Sequence, residues 1–124
     1  MQKPALCRAL AQNLAVLQDR FGGSDDFYTK KLSVGGIRCA IIMFTGISSP
    51  EKLCRLALDM LDRDPAFFGG GPGLCDYLLK QSLIPAEPQP ASDIEEIGEL
   101  LANGMSLLLI DDCDQAVVFS TQEM

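Results

Sequence analysis

The side chains of this sequence that could do chemistry are thiols and carboxylates, because none of the 124 residues is histidine. The commonest general base and metal-binding imidazole are therefore both missing, and an enzyme would need Cys, Ser or Lys as its nucleophile. The five cysteines stand singly, without a CxxC spacing, at positions 7, 39, 54, 75 and 113. Their odd number and wide spacing indicate reduced thiols, although one intramolecular disulfide is compatible with them.

Two short motifs have some features of ligand sites but lack the residues that would complete them. The run Gly69 to Gly73 precedes a helix, as phosphate-binding loops do, but the lysine and hydroxyl of a P-loop are absent and Pro72 removes a backbone donor. Asp111, Asp112 and Asp114 place three carboxylates in one turn, yet no glutamate or glycine follows at calcium-loop spacing. We predict a surface loop and a solvated turn, with no cofactor, metal or catalytic residue.

Length and charge limit the kinds of protein that this chain can be. With 124 residues, 48% hydrophobic content and a net charge of -7, residues 1–124 are expected to form one globular domain. The largest basic cluster is Lys30-Lys31, which argues against nucleic acid and anionic lipid as partners. The longest uncharged apolar run, Ala40 to Phe44, is far too short to insert in a membrane.

Apolar residues at helical spacing predict about four helices, which cover approximately residues 4–20, 51–62, 74–83 and 92–101. Ser49-Pro50-Glu51 is a start signal for the second helix, and Ser92 with Glu95 three residues later forms a capping box for the fourth. Gly22-Gly23 and Asn103-Gly104 end the first and the fourth.

Two hairpins supply the strands. In the first, strands at 27–34 and 37–45 flank Gly35-Gly36; in the second, 106–110 and 116–119 flank the aspartates. The nearly all-apolar strand from Ile37 should be central, whereas the more alternating strand before it suits an edge. The proline-rich run 84–92 is a connector or an edge. We predict an α+β (α/β-like) fold with one mixed sheet of about four strands, whose helical crossover would permit a parallel pair between the hairpins.

The order of these motifs resembles the cytosolic N-terminal domain of the A subunits of GerA-type spore germinant receptors, a family that includes stage V sporulation protein AF. Residues 12 to 121 take part. Asp19-Arg20-Phe21-Gly22 matches the family's "ERFG" pattern, and Gly35-Gly36 matches its hairpin glycines. The family's closing hairpin has an Asp-Gly turn, which stands here as Asp111-Asp112, so aspartate replaces the glycine.

The resemblance implies a larger protein than this chain. The chain would be the first soluble subdomain of a membrane-embedded A-type subunit, on the cytosolic side of the inner spore membrane. There it would be a signalling and assembly module for nutrient-triggered germination and ion release. Its partners would be the other receptor subunits and the rest of its own subunit, with room for a homo-oligomer of the full-length protein.

Two alternatives remain open: a stand-alone small-molecule (nutrient) sensor domain and, more distantly, an enzyme with a thiol nucleophile. We favour partner contacts over nutrient capture, because a small acidic domain without histidine or tryptophan offers few convergent polar groups around a pocket. The predicted contact residues are Phe67, Phe68 and Gly70 in the glycine-rich loop and Asp112 in the second hairpin. Phe67 and Phe68 are equally suited to filling the core.

Overall fold

The computed structural model describes residues 5–23, 25–34, 36–44, 69–80 and 89–119, and all structural statements below concern these residues. Its three helices are α1 (Leu10–Phe21), α2 (Gly71–Lys80) and α3 (Ile94–Ala102). Its five strands are β1 (Phe27–Val34), β2 (Ile37–Phe44), β3 (Gln89–Ala91), β4 (Ser106–Ile110) and β5 (Ala116–Phe119). The helix predicted at residues 51–62 lies outside the described residues, as do Phe67 and Phe68.

The strands form one open sheet in the order β1-β2-β4-β5-β3, so the predicted α+β class is confirmed. β2 is central and β1 is an edge, as the apolar patterns of the two strands predicted. The proline-rich run supplies β3, a three-residue strand at the opposite edge. Pro90 is tolerated there because an edge strand can lack one ladder donor.

The sheet is not mixed as expected, because every pairing of the described strands is antiparallel, and it has five described strands where about four were expected. The pairing of Cys39 with Ile110 and of Ile42 with Leu107 shows that β4 begins beside the end of β2. The crossover between the hairpins returns the chain to the same end of the sheet, and this reverses the direction of β4 relative to β2.

Each face of the sheet carries its own apolar core. We call them the α2 face and the α1–α3 face, after the helices that cover them. The alternation of side chains along a strand assigns successive residues of β2 to opposite faces, Cys39, Ile41 and Met43 to the first and Ala40 and Ile42 to the second. β4 and β5 are buried along their whole length for the same reason.

α1 begins at Leu10 and not near Pro4 as its apolar spacing predicted. Residues 5–9 are held outside the helix by other segments: the Leu6 amide donates to the Ser92 carbonyl at 2.8 Å, and Ala5 forms an antiparallel bridge with Asp93. The buried Asn13 side chain accepts from the Cys7 amide at 2.8 Å and donates to the Cys7 carbonyl at 2.7 Å. The backbone groups of Leu6 and Cys7 therefore have hydrogen-bond partners other than those that a helix would provide.

The start of α3 also differs from the prediction. Its N-cap is Asp93, whose carboxylate accepts a 2.9 Å hydrogen bond from the Glu95 amide, so Ser92 is not the capping residue. The Ser92 carbonyl accepts a hydrogen bond from the Leu6 amide, next to the Ala5–Asp93 bridge that precedes the helix. Asn103-Gly104 ends α3 as predicted, with Gly104 at a φ of 89°.

Candidate functional site

The turn between β4 and β5, which we call the acidic turn (Asp111 to Gln115), is the centre of the site. Among the described residues, Asp112 is the only non-glycine residue in the left-handed region, with a φ of 64°. Glycine adopts this conformation without cost, and aspartate is among the few other residues that tolerate it. The geometry explains how aspartate can stand where the resembling family has glycine.

Asp112 also joins the turn to the segment before α1. Its amide donates to the Arg8 carbonyl at 2.8 Å, and its carboxylate lies 3.3 Å from Arg8 Nε. Both side chains are about two-thirds exposed, at 65% and 66%, so the ion pair contributes little beyond the backbone bond. The contact positions an arginine beside three aspartates.

Asp111 connects the turn to β2 and to α1. Its amide donates to the Arg38 carbonyl at 2.9 Å, and its carboxylate lies 3.5 Å from Arg38 Nη2. The other carboxylate oxygen accepts from the Leu10 amide at 3.2 Å. This amide is in the first turn of α1, where N–H groups have no helical partner and a negative charge is stabilised. A residue distant in sequence thus takes the place of a local capping side chain.

The end of the glycine-rich loop packs against the same turn. Gly69 and Gly70 have φ values of 71° and 107°, which favour glycine, and α2 follows at once. A Cβ on Gly71 would overlap the Asp111 carbonyl oxygen, so this position requires glycine for close approach of two backbones. The loop and the acidic turn therefore lie side by side.

A shallow cavity of about 270 Å³ lies between α2, the acidic turn and the segment before α1. The residues that line it bring a guanidinium, three carboxylates, an amide and two thiols beside apolar surface: Arg8, Pro72, Cys75, Asp76, Asp112, Cys113, Asp114 and Gln115. A small-molecule pocket is usually larger and mostly apolar, with few polar groups. The shape and lining suit surface recognition better than enclosure of a nutrient.

The Cys75 thiol is buried at the base of this cavity. Burial, together with the nearby Cys113 thiol and the negative charges of Asp76 and Asp114, raises its pKa to about 12. The thiol stays protonated at neutral pH, whereas a reactive cysteine has a lowered pKa. Cys75 is therefore not an activated nucleophile.

Of the four predicted contact residues, the structure describes Gly70 and Asp112. Gly70 immediately precedes α2, and Asp112 lines the cavity that α2 borders. Sequence reasoning did not place Arg8 and Cys75 beside the acidic turn that contains Cys113. No local spacing could have shown their proximity, because the three residues come from three separate segments of the chain.

Two further findings concern ligands and membranes. No group of three or more Cys, Asp or Glu in the described ranges is arranged to hold a metal ion. Within the same ranges, no helix has the length and apolar character needed to cross a bilayer.

Comparison with solved structures identifies the fold. A scan against models of protein families gave no match, nor did a search of curated proteins. A solved structure, however, matches the whole chain with a TM-score of 0.83 at 20% sequence identity: the N-terminal domain of the A subunit of the Bacillus megaterium spore germinant receptor GerK3. The chain has the fold of the matched half of this domain.

The match covers 100% of this chain and 50% of the GerK3 chain. The chain thus spans about half the length of the solved domain. The family resemblance inferred from motif order is confirmed at the level of the fold, which in GerK3 belongs to a germinant receptor subunit.

Proposed function

We propose that this chain is a signalling and assembly domain of an A-type germinant receptor subunit, and that it contributes to nutrient-triggered germination and ion release through protein–protein contacts. The observation that carries the proposal is the match of the entire chain to the GerK3 N-terminal domain. It agrees with the order of sequence motifs from residue 12 to residue 121. On this proposal the chain is the first soluble subdomain of a longer, membrane-anchored protein on the cytosolic side of the inner spore membrane.

The contact surface in this proposal is the glycine-rich loop together with the acidic turn. Gly71 brings the two backbones together, and the loop carries Phe67 and Phe68 just before the described part of α2. Asp76, Asp112 and Asp114 make the surrounding surface acidic, and Asp114 is exposed. A partner with basic groups, from another receptor subunit or from the rest of the same subunit, would complement this surface.

Germination of spores that carry the full-length protein tests the proposal. We expect Asp76→Lys/Asp114→Lys to slow nutrient-triggered germination and to reduce co-purification of other receptor subunits. Phe67→Ala and Phe68→Ala should act in the same direction. Asp19→Lys/Glu99→Lys makes the same change of charge on exposed positions of α1 and α3, and should leave germination unchanged. Immunoblots of the subunit separate loss of contact from loss of the protein.

The shallow cavity is the observation that favours the alternative, a stand-alone nutrient sensor. Titration calorimetry of the 124-residue chain with amino acids, sugars and nucleosides distinguishes the two. We expect no saturable binding. Micromolar affinity for one of these ligands, lost in Arg8→Ala, would replace the assembly role with the sensor role.

A further inference from the structure

The two edges of the sheet differ in how readily they accept another strand. β3 is three residues long and contains Pro90, which has no N–H to donate. β1 is eight residues long, has no proline and pairs only with β2 among the described strands. Its central residues, Tyr28 to Lys31, are exposed. An edge of this kind can bind a further strand through main-chain hydrogen bonds.

The charges along this edge are arranged symmetrically about Tyr28. Asp25 and Asp26 precede Tyr28 by three and two residues, and Lys30 and Lys31 follow it by two and three. If two copies pair antiparallel with Tyr28 opposite Tyr28, Lys30 faces Asp26 and Lys31 faces Asp25. Two-fold symmetry repeats each contact. The segment DDFYTKK is therefore complementary to itself.

The faces of the sheet agree with this pairing. Lys30 pairs with Ile41 of β2 and so lies on the α2 face, whereas Lys31 pairs with Ala40 and lies on the α1–α3 face. Residues directly opposite each other in an antiparallel pair share a face. Each side of the joined sheets would carry oppositely charged pairs. Tyr28, which is 39% exposed, would contact its own copy on the two-fold axis.

Electrostatics distinguishes this register from those with the longest overlap. The longest overlaps that two-fold symmetry allows are centred on Lys30 or Lys31, because directly opposed pairs alternate between two hydrogen-bonding types. Either overlap would place a lysine opposite its own copy, and like charges directly opposite each other are destabilising. The net charge of -7 also makes two copies repel at most other surfaces. The edge near Tyr28 is a place where both signs of charge lie close together.

We propose that β1 is the interface of a symmetric dimer of this chain, in which residues 25–31 of two copies pair antiparallel about Tyr28. The main chain of Phe27 to Thr29 would provide the ladder, and the charged residues on either side would set the register. The two five-stranded sheets would become one continuous sheet. The inference rests on β1 itself and is independent of the proposed germination role.

Charge exchange tests the interface. In sedimentation velocity at about 0.01 M salt, where screening is weak, we expect a concentration-dependent dimer that weakens several-fold at about 0.1 M. Lys30→Glu/Lys31→Glu and Asp25→Lys/Asp26→Lys should each be monomeric, because every cross-strand pair becomes like-charged. An equimolar mixture should form a heterodimer, since all four pairs are then opposite in charge.

Matched controls carry the same change of net charge elsewhere. Arg20→Glu/Lys80→Glu controls the first variant and Asp19→Lys/Glu99→Lys the second, all at exposed positions. Both controls should stay dimeric. A monomer at every concentration in low salt would overturn the proposal, as would a dimer that survives the charge reversals or a mixture that fails to associate.

A cross-link tests the register. Directly opposed residues have Cα atoms about 4.5–5.5 Å apart, within the range of a disulfide. Tyr28→Cys should therefore give a covalent dimer when a low-molecular-weight disulfide such as oxidised glutathione supplies the oxidant. Ser33→Cys, on the same strand, would lie about 34 Å from its copy at 3.4 Å per residue and should not cross-link. Equal cross-linking of both variants would contradict pairing about Tyr28.

Discussion

The two hairpins each consist of two apolar strands around a short turn, but they differ in their positions in the sheet. The first hairpin includes the edge strand β1, whereas both strands of the second lie inside the sheet. β4 and β5 are buried along their entire length, whereas β1 is an edge of the described sheet and its residues are mostly exposed. The first hairpin contributes one buried strand, β2. Its exposed strand, β1, pairs with β2 along its whole length, and the rings of Phe27 and Phe44 meet edge to face with centroids 6.1 Å apart. The second hairpin therefore contributes two strands to the core, whereas the first contributes one strand to the core and one to an edge of the sheet.

The turns of the two hairpins differ in the same way. Each uses a residue in the left-handed region, Gly36 at a φ of 78° and Asp112 at 64°. Gly36 is exposed. The acidic turn donates hydrogen bonds to the segment before α1 and to β2, and it packs closely against Gly71. The second hairpin therefore connects several segments, whereas the first ends the described sheet at β1.

The largest difference between the hairpins is expected on truncation of a leucine in each. Leu107 in β4 has no exposed surface, so Leu107→Ala should lower the free energy of unfolding by about 2–5 kcal/mol. Leu32 in β1 is only partly buried, so Leu32→Ala should cost about 1 kcal/mol. Urea denaturation measures both. Equal losses would show that β1 is as tightly packed as β4.

Alkaline pH should lower the free energy of unfolding through the Cys75 thiol, which is buried beside the second hairpin. The pKa of Cys75 is raised from 9.0 to about 12, so between these values the unfolded chain loses a proton that the folded chain keeps. Stability from this group is complete below pH 9 and declines as pH rises toward 12, on the order of 1 kcal/mol per pH unit.

Comparison of the wild type with Cys75→Ala isolates this contribution, because other alkaline titrations are common to both. We expect the free energy of unfolding of the variant to fall less steeply above pH 9, the unperturbed thiol value. Parallel pH profiles would mean that the thiol ionises equally in both states.

Effects smaller than that of Leu107→Ala are expected at the two left-handed turn residues. Gly36→Ala should cost about 1–2 kcal/mol, the penalty for a Cβ in this conformation. Asp112→Gly relieves less strain, because aspartate tolerates this conformation better than alanine, and it removes the exposed ion pair with Arg8, worth about 0–1 kcal/mol. The two effects oppose each other, so stability should change by about 1 kcal/mol or less. Thermal unfolding compares them. A large loss in Asp112→Gly would show that the carboxylate stabilises the turn more than its exposure suggests.

Local signals in the sequence determined the types of the described elements. Alternation and apolar runs predicted β1 at the edge and β2 at the centre, and Asn103-Gly104 marked the end of α3. These predictions succeeded because each depends on the residues of one short segment. The acidic turn was also predicted, since aspartate is itself a turn former. The identity of its partners was not.

Only the tertiary structure decided which segments meet. The start of α1 depends on hydrogen bonds to Ser92 and Asp112, and the cavity depends on α2 lying beside the acidic turn. The antiparallel direction of β4 depends on the path of the crossover. Such contacts join residues tens of positions apart, so helical period, strand alternation and capping motifs carry no information about them. The sequence by itself determined the local conformations, whereas packing of the two apolar faces set the strand order and brought the candidate site together.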